Sequence, residues 1–205
     1  MSAPIRATVL ISGNGSNLQA VIDKIAEGQL NTTLVRVLSN RKDAFGLERA
    51  SKANIPTLYH NLVKYKKQHP ATTEGIQAAR EEYDAELARL ILADGPELFL
   101  EPLEKANVRI INLHPALPGQ FNGVNAIERA HAAWIEGKID KTGVMIHDVI
   151  SEVDMGKPIL VKEIPFQKGR DEDVDAFATR VHETEWGTVI EGVGMVLKEL
   201  EGQKQ

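Results

Sequence analysis

The feature that most constrains this chain is a strict alternation of apolar runs and helical periodicity in its first third. Ala7 to Ser12 is an apolar, β-branched run that stops at Gly13-Asn14-Gly15-Ser16-Asn17, and Leu18 to Ile25 then carries helical spacing. Thr33 to Leu38 repeats the strand signal, Ala44 to Ala53 the helix and Thr57 to Tyr59 a short strand. Such βαβαβ alternation predicts a parallel sheet with right-handed crossovers. Thr73 to Leu92 follows as a long helix with Thr73 as its cap. Then come the strand Val108 to Asn112, the helix Ala126 to Gly137, the strands Gly143 to Ile150 and Ile159 to Ile164, and a last helix from about Asp171 to Leu200. The expected class is α/β, a doubly wound, mostly parallel sheet with a hairpin-like addition at the end.

One interval breaks the pattern. Between Leu92 and Glu97 stand only Ala93-Asp94-Gly95-Pro96, and Glu97 to Lys105 is helical in composition, so one central strand is missing or shortened. Glu97-Leu98-Phe99-Leu100 is the alternative short strand, which Pro102 truncates.

With 205 residues and no Pro/Gly/Ser-rich linker, residues 1–205 are expected to form a single domain, its halves meeting near 105/106. The net charge of −5 argues against a broad nucleic-acid-binding surface, and Lys64, Lys66 and Lys67 form the one short basic cluster, read as a solvated loop or helix face. No cysteine means no disulfide framework, thiolate zinc site or thiol nucleophile, which fits a cytoplasmic address. No apolar run of membrane-spanning length and no secretory signal is legible, and a free-standing enzyme, monomer or homodimer, is expected.

Chemistry concentrates in INLHPALPG and HDVISEVDMGKP. Asn112, His114 and Asp154 there supply a carbonyl polariser, an imidazole and a carboxylate, a set suited to acyl transfer to an amine. His114, before Pro115, lies at the carboxyl end of a buried strand, where open α/β sheets place their ligands. Each also has a plain structural reading: Asn112 satisfying a loop backbone, His114 a hydrogen-bonded core histidine, Asp154 capping a turn. His147 reads as a supporting partner that orients a loop. His60, His69, His131 and His182 show no repeated metal-ligand spacing, so no metal is expected. The loop Ser12 to Asn17 opens a helix whose amides and dipole attract an anion, so that a phosphate fits on Gly15, Ser16 and Asn17. It is neither G-x-G-x-x-G nor a lysine-containing P-loop, and its other reading is an ordinary turn with Ser16 as helix cap.

Together ISGNGSNLQA, SNRKDAFGLERA, INLHPALPG and the His147 to Asp154 segment resemble the phosphoribosylglycinamide formyltransferase family of purine biosynthesis, in order from about Val9 to Glu185. The resemblance implies a Rossmann-like formyltransferase fold, glycinamide ribonucleotide as substrate and 10-formyltetrahydrofolate as formyl donor. It implies that Asn112 and protonated His114 stabilise the oxyanion while Asp154 keeps the imidazole charged and helps move the amine proton through water. It also assigns Gly15, Ser16 and Asn17 to the phosphate, Glu185 to the glycinamide part, Arg80 to the folate glutamate tail, and Ile150, Ser151, Glu152 and Val153 to the pterin-side loop. The chain departs from the family by lacking the apolar strand that ends in a glycine-aromatic-methionine segment, a wall of the folate pocket. Competing expectations are therefore an impaired variant that only binds the ribonucleotide or a partner, and a formyltetrahydrofolate hydrolase.

Overall fold

The computed structural model describes residues 4–92 and 108–203. The interval in which a strand is missing, with its alternative strand at Glu97 to Leu100, lies outside the described residues. Two compact units are present, Met1–Arg109 and Ile110–Gln205.

In the first unit β1 (Ile5–Ile11), β2 (Thr32–Ser39) and β3 (Thr57–Tyr59) form a parallel sheet in that order. The ladder runs from Ile5↔Thr32 to Ile11↔Ser39 with one irregularity at Ala7/Thr8, and β3 joins β2 through Val37↔Thr57 to Ser39↔Tyr59. Helices α1 (Ser16–Ala26) and α2 (Phe45–Lys52) make the crossovers. Leu18, Val21, Leu34, Val37, Leu38 and Ala50 are buried, which gives these short elements the packing that propensity alone does not supply. A short helix α3 (Leu62–Lys66) carries Lys64 and Lys66 of the basic cluster, with Lys67 at its C-cap, and its start is capped by Asn61, whose side chain accepts from Val63 N–H at 2.6 Å.

The long helix α4 (Thr73–Leu92) has the span its sequence predicts, but its cap is Thr72 and not Thr73. Thr72 Oγ1 accepts the Gly75 N–H at 3.1 Å, a bond that Thr73, already inside the helix, is in no position to make.

In the second unit β4 (Ile111–His114), β5 (Lys141–Asp148) and β6 (Pro158–Pro165) form a second sheet, with α5 (Ala126–Ile135) and α6 (Val174–Gly202). Both ladders are antiparallel: Ile111↔Asp148 to His114↔Met145, and Lys141↔Pro165 to His147↔Pro158. The α/β class is as the alternation requires, but the direction of β5 against β4 is not. The long stretch 115–125 lets α5 begin at either end of β4, so a helix between two strands does not by itself make them parallel. Val144, Ile164, Phe177 and Val181 form the core, joined by Leu113, Ile127 and Phe166. Asp171, predicted to open the last helix, is instead fully buried, where it accepts from the Gln167 amide at 2.7 Å and pairs with Arg180. Asp173 caps α6 by accepting from Ala176 N–H at 2.8 Å.

Candidate active site

The second unit assembles four of the expected polar side chains at one point. Asn112 and His147 are directly paired across β4 and β5. His114, two residues after Asn112, shares its face of the strand, and Pro115 ends pairing because it has no amide to donate. His114 and His147 are each 2% exposed.

Asp154 meets these three side chains from the loop that links β5 to β6. The loop is held shut by the Asp148 N–H to Lys157 O bond of 3.0 Å and by Gly156, where an added Cβ would sit 1.5 Å from Asp148 O. Asp154 itself has φ 57°, a left-handed conformation that aspartate tolerates better than most residues. Its Oδ2 lies 3.4 Å from His114 Nδ1 and accepts the Gly123 N–H at 2.7 Å. Its Oδ1 accepts from Asn112 Nδ2 at 3.3 Å and lies 3.6 Å from His147 Nε2.

Proton positions follow from the carbonyls. His114 Nε2 is 3.0 Å from Gln120 O, and a carbonyl only accepts, so Nε2 carries hydrogen and Nδ1 is the nitrogen left to exchange a proton with Asp154. His147 Nδ1 donates to Asp148 O at 2.8 Å, which leaves Nε2 to accept from Asn112 Nδ2 at 3.3 Å. Both Asn112 donor hydrogens and both His114 nitrogens are thus engaged within the cluster. An oxyanion that forms here takes over a bond now made to Asp154 or Gln120.

Three contributors escaped the sequence reading because they act through the backbone or from a distance. Gly123 offers only its amide, Gln120 only its carbonyl, and Arg129 on α5 shapes the loop between them by donating to Phe121 O, Asn122 O and Val124 O at 3.2, 2.9 and 3.3 Å. The motif PGQFNGVN, dense in turn formers, was the available signal.

The other expected residues are elsewhere. Ile150, Ser151, Glu152 and Val153 precede Asp154 in an exposed loop, with Val153 65% and Met155 55% exposed, an apolar rim beside the cluster. Glu185 is buried on α6, its Oε2 2.8 Å from His182 Nδ1. In the first unit, Gly15 takes φ 73° at the start of α1, so the capping position has no side chain and Ser16 is already helical. Arg80 lines a cavity of about 380 Å³ with Asn40, Asn61, Lys66, Tyr83 and Asp84, next to the carboxyl ends of β2 and β3. Among the described residues no cluster of three or more His, Asp or Glu could hold a metal, and no helix is long and apolar enough to cross a membrane.

The Formyl transferase family model matches residues 5–193. The phosphoribosylglycinamide formyltransferase of Schizosaccharomyces pombe is 45% identical over 204 residues, covering 92% of this chain and 95% of that one. That of Saccharomyces cerevisiae is 39% identical over 213 residues, covering 95% and 98%. Among solved structures, glycinamide ribonucleotide transformylase 1 of Symbiobacterium toebii aligns with a TM-score of 0.76 at 29% identity, over 97% of this chain and 90% of that one.

Proposed function

Because the chain belongs to the formyl transferase family, we infer that it moves a formyl group from a folate donor to the amine of glycinamide ribonucleotide, a step of purine biosynthesis. The observation that carries the mechanism is the convergence of Asn112, His114 and His147 on the Asp154 carboxylate. The donor in this reading is 10-formyltetrahydrofolate.

The amine nitrogen attacks the formyl carbon, the carbonyl oxygen becomes an oxyanion, and collapse breaks the bond to the folate nitrogen, which ends with the amine's proton. Charge separates on neighbouring atoms during attack, so dipoles fixed beforehand in a dry site lower the barrier most. Asn112 Nδ2 and His114 are the donors for the oxyanion, and Asp154 accepts and returns the proton through His114 Nδ1. His147 holds the Asn112 amide in the donating orientation.

The remaining roles follow the resemblance. Gly15, Ser16 and Asn17 take the phosphate at the amino end of α1, where helix amides and dipole favour an anion. Glu185 takes the glycinamide nitrogen. Arg80 takes a carboxylate of the folate tail, and the Ile150 to Val153 loop takes the pterin. In this reading residues 1–205 act as one formyltransferase domain, in the cytoplasm, as a monomer or homodimer on small-molecule substrates.

The test is a formyl-transfer assay that follows folate release from 10-formyltetrahydrofolate with and without glycinamide ribonucleotide. Release that requires the ribonucleotide is expected. Release without it would make the chain a hydrolase, and no release from folded protein would overturn the reading.

A further inference from the structure

No residue of the motif Ser39 to Ala50, SNRKDAFGLERA, is among those assigned to catalysis or substrate binding. Its start is a tight turn, in which buried Ser39 Oγ donates to Arg41 O at 2.8 Å and accepts the Arg41 amide at 3.0 Å. Its end folds back on the loop between β1 and α1. Gly46 N–H donates to Gly13 O at 3.1 Å, and an added Cβ on Gly15 would come 2.6 Å from Gly46 Cα. A Cβ on Gly46 would in turn meet Gly15 Cα at 3.2 Å and Ile11 Cδ1 at 2.5 Å. The two glycines let the first turn of α2 lie directly on the loop.

Arg49, one turn further along α2, clamps it. Its Nε donates to Asn14 O at 2.9 Å and its Nη2 to Asn14 Oδ1 at 2.9 Å, a two-pronged grip on one residue. Its Nη1 donates to Gln19 Oε1 at 3.3 Å on α1, and its guanidinium carbon stands 4.8 Å from the centre of the Phe45 ring. A planar fork stacked on an aromatic face suits arginine and not lysine. Asn14 immediately precedes Gly15, whose left-handed backbone sets the direction of the next amides.

We propose that Arg49 is a positioning residue for the substrate phosphate: it acts through Asn14, with the Gly46–Gly15 contact as fulcrum, to hold the amides of Gly15, Ser16 and Asn17 in their anion-binding arrangement. The inference rests on the reading of that loop as the phosphate site. The grip is to the loop backbone and to Asn14, so its loss is expected to weaken ribonucleotide binding and leave the formyl chemistry alone.

The test compares Arg49→Met, Arg49→Lys and the double variant Ser16→Ala/Asn17→Ala with the unaltered chain. It measures KM for glycinamide ribonucleotide, competition by inorganic phosphate, kcat, and binding of the dephosphorylated riboside, with thermal unfolding as the check on folding. Arg49→Met is expected to raise the ribonucleotide KM and the phosphate inhibition constant about tenfold or more, the scale of a lost hydrogen bond from a charged donor, with kcat and riboside binding within about twofold. Arg49→Lys, which keeps the charge and loses the fork, is expected to recover little of this. If Arg49→Lys binds like the unaltered chain, charge alone matters and the positioning role is overturned. If both Arg49 variants bind normally while the loop variant does not, the role of Arg49 falls and the phosphate reading stands. If inorganic phosphate does not compete with the ribonucleotide and the unaltered chain binds ribonucleotide and riboside equally well, the phosphate reading falls and takes the proposal with it.

Discussion

The amide nitrogen of Asn112 lies 3.3 Å from Nε2 of His147, the residue paired with it on the neighbouring strand. With His147 Nδ1 bound to Asp148 O, Nε2 accepts one Asn112 hydrogen while Asp154 Oδ1 accepts the other, which fixes the side-chain oxygen of Asn112 on the opposite side. Removing the acceptor lets the amide turn. We predict that His147→Leu lowers kcat by about tenfold, the scale of one hydrogen bond, and hardly changes either KM. His147→Gln, whose carbonyl can accept, should restore most of the rate. Equal kcat in both variants would remove His147 from the mechanism.

His114 holds its position through Gln120 O and faces Asp154 through Nδ1. His114→Ala should reduce kcat by about 10²–10³, as expected when one donor to an oxyanion is lost, with both ligands still bound in equilibrium titrations. Near-full turnover would show that the imidazole plays no part in the reaction.

Asp154→Asn keeps the side-chain shape and one oxygen for the Gly123 amide but removes the charge that His114 faces. The expected loss is about 10²–10⁴ in kcat, the usual contribution of a positioned proton-transfer group, with thermal stability little changed. A variant that keeps its rate but loses stability would make Asp154 a loop clasp and nothing more.

Much of this was readable in the chain. β3 and α4 have their predicted spans because period and length agreed there, and Asn112, His114 and Asp154, picked out because few side-chain types suit acyl transfer, do come together in the structure. Two kinds of feature were not. Strand direction in the second unit depends on how residues 115–125 are routed, which periodicity does not record. The contacts that hold Asp154, His114 and the loops at Asn122 and Asn14 come from backbone groups of Gly123 and Gln120 and from Arg129 and Arg49, whose sequence spacing to their targets is set by the fold. The pair Thr72/Thr73 shows the smaller limit: two adjacent threonines cap equally well in sequence, and only the position of Gly75 N–H selects one.

Gly156 is required by contact and not by turn geometry. A Cβ there would stand 1.5 Å from Asp148 O, so Gly156→Ala must push apart the two ends of the loop that carries Asp154. A destabilisation of about 1–3 kcal/mol is expected in urea unfolding, typical of overpacking. The rate should fall further than stability accounts for, because Asp154 moves with the loop. Retained kcat at saturating substrates, measured well below the unfolding transition, would show that the loop adjusts without moving the carboxylate.

The cavity beside α4 offers a prediction in pH. Burial pushes the Asp84 carboxyl above the usual carboxylate range, opposed by the charges of Arg80 and His60. An acid whose folded-state value is raised holds its proton more tightly when folded, so its contribution is fully present below the unfolded value, about 3.9, and is lost as pH rises through the folded one. Asp84→Asn stays neutral throughout, so its stability relative to the unaltered chain should grow from near pH 4 towards neutrality in urea midpoints measured across that window. The same change removes a negative charge from the wall that Arg80 shares, so a carboxylate bound at Arg80 should be held more tightly and the KM for the folate donor should fall. A fall in KM without the pH-dependent gain would mean that the carboxyl is as well hydrated in the folded chain as in the unfolded one. A gain in stability with an unchanged KM would place the folate tail away from Arg80.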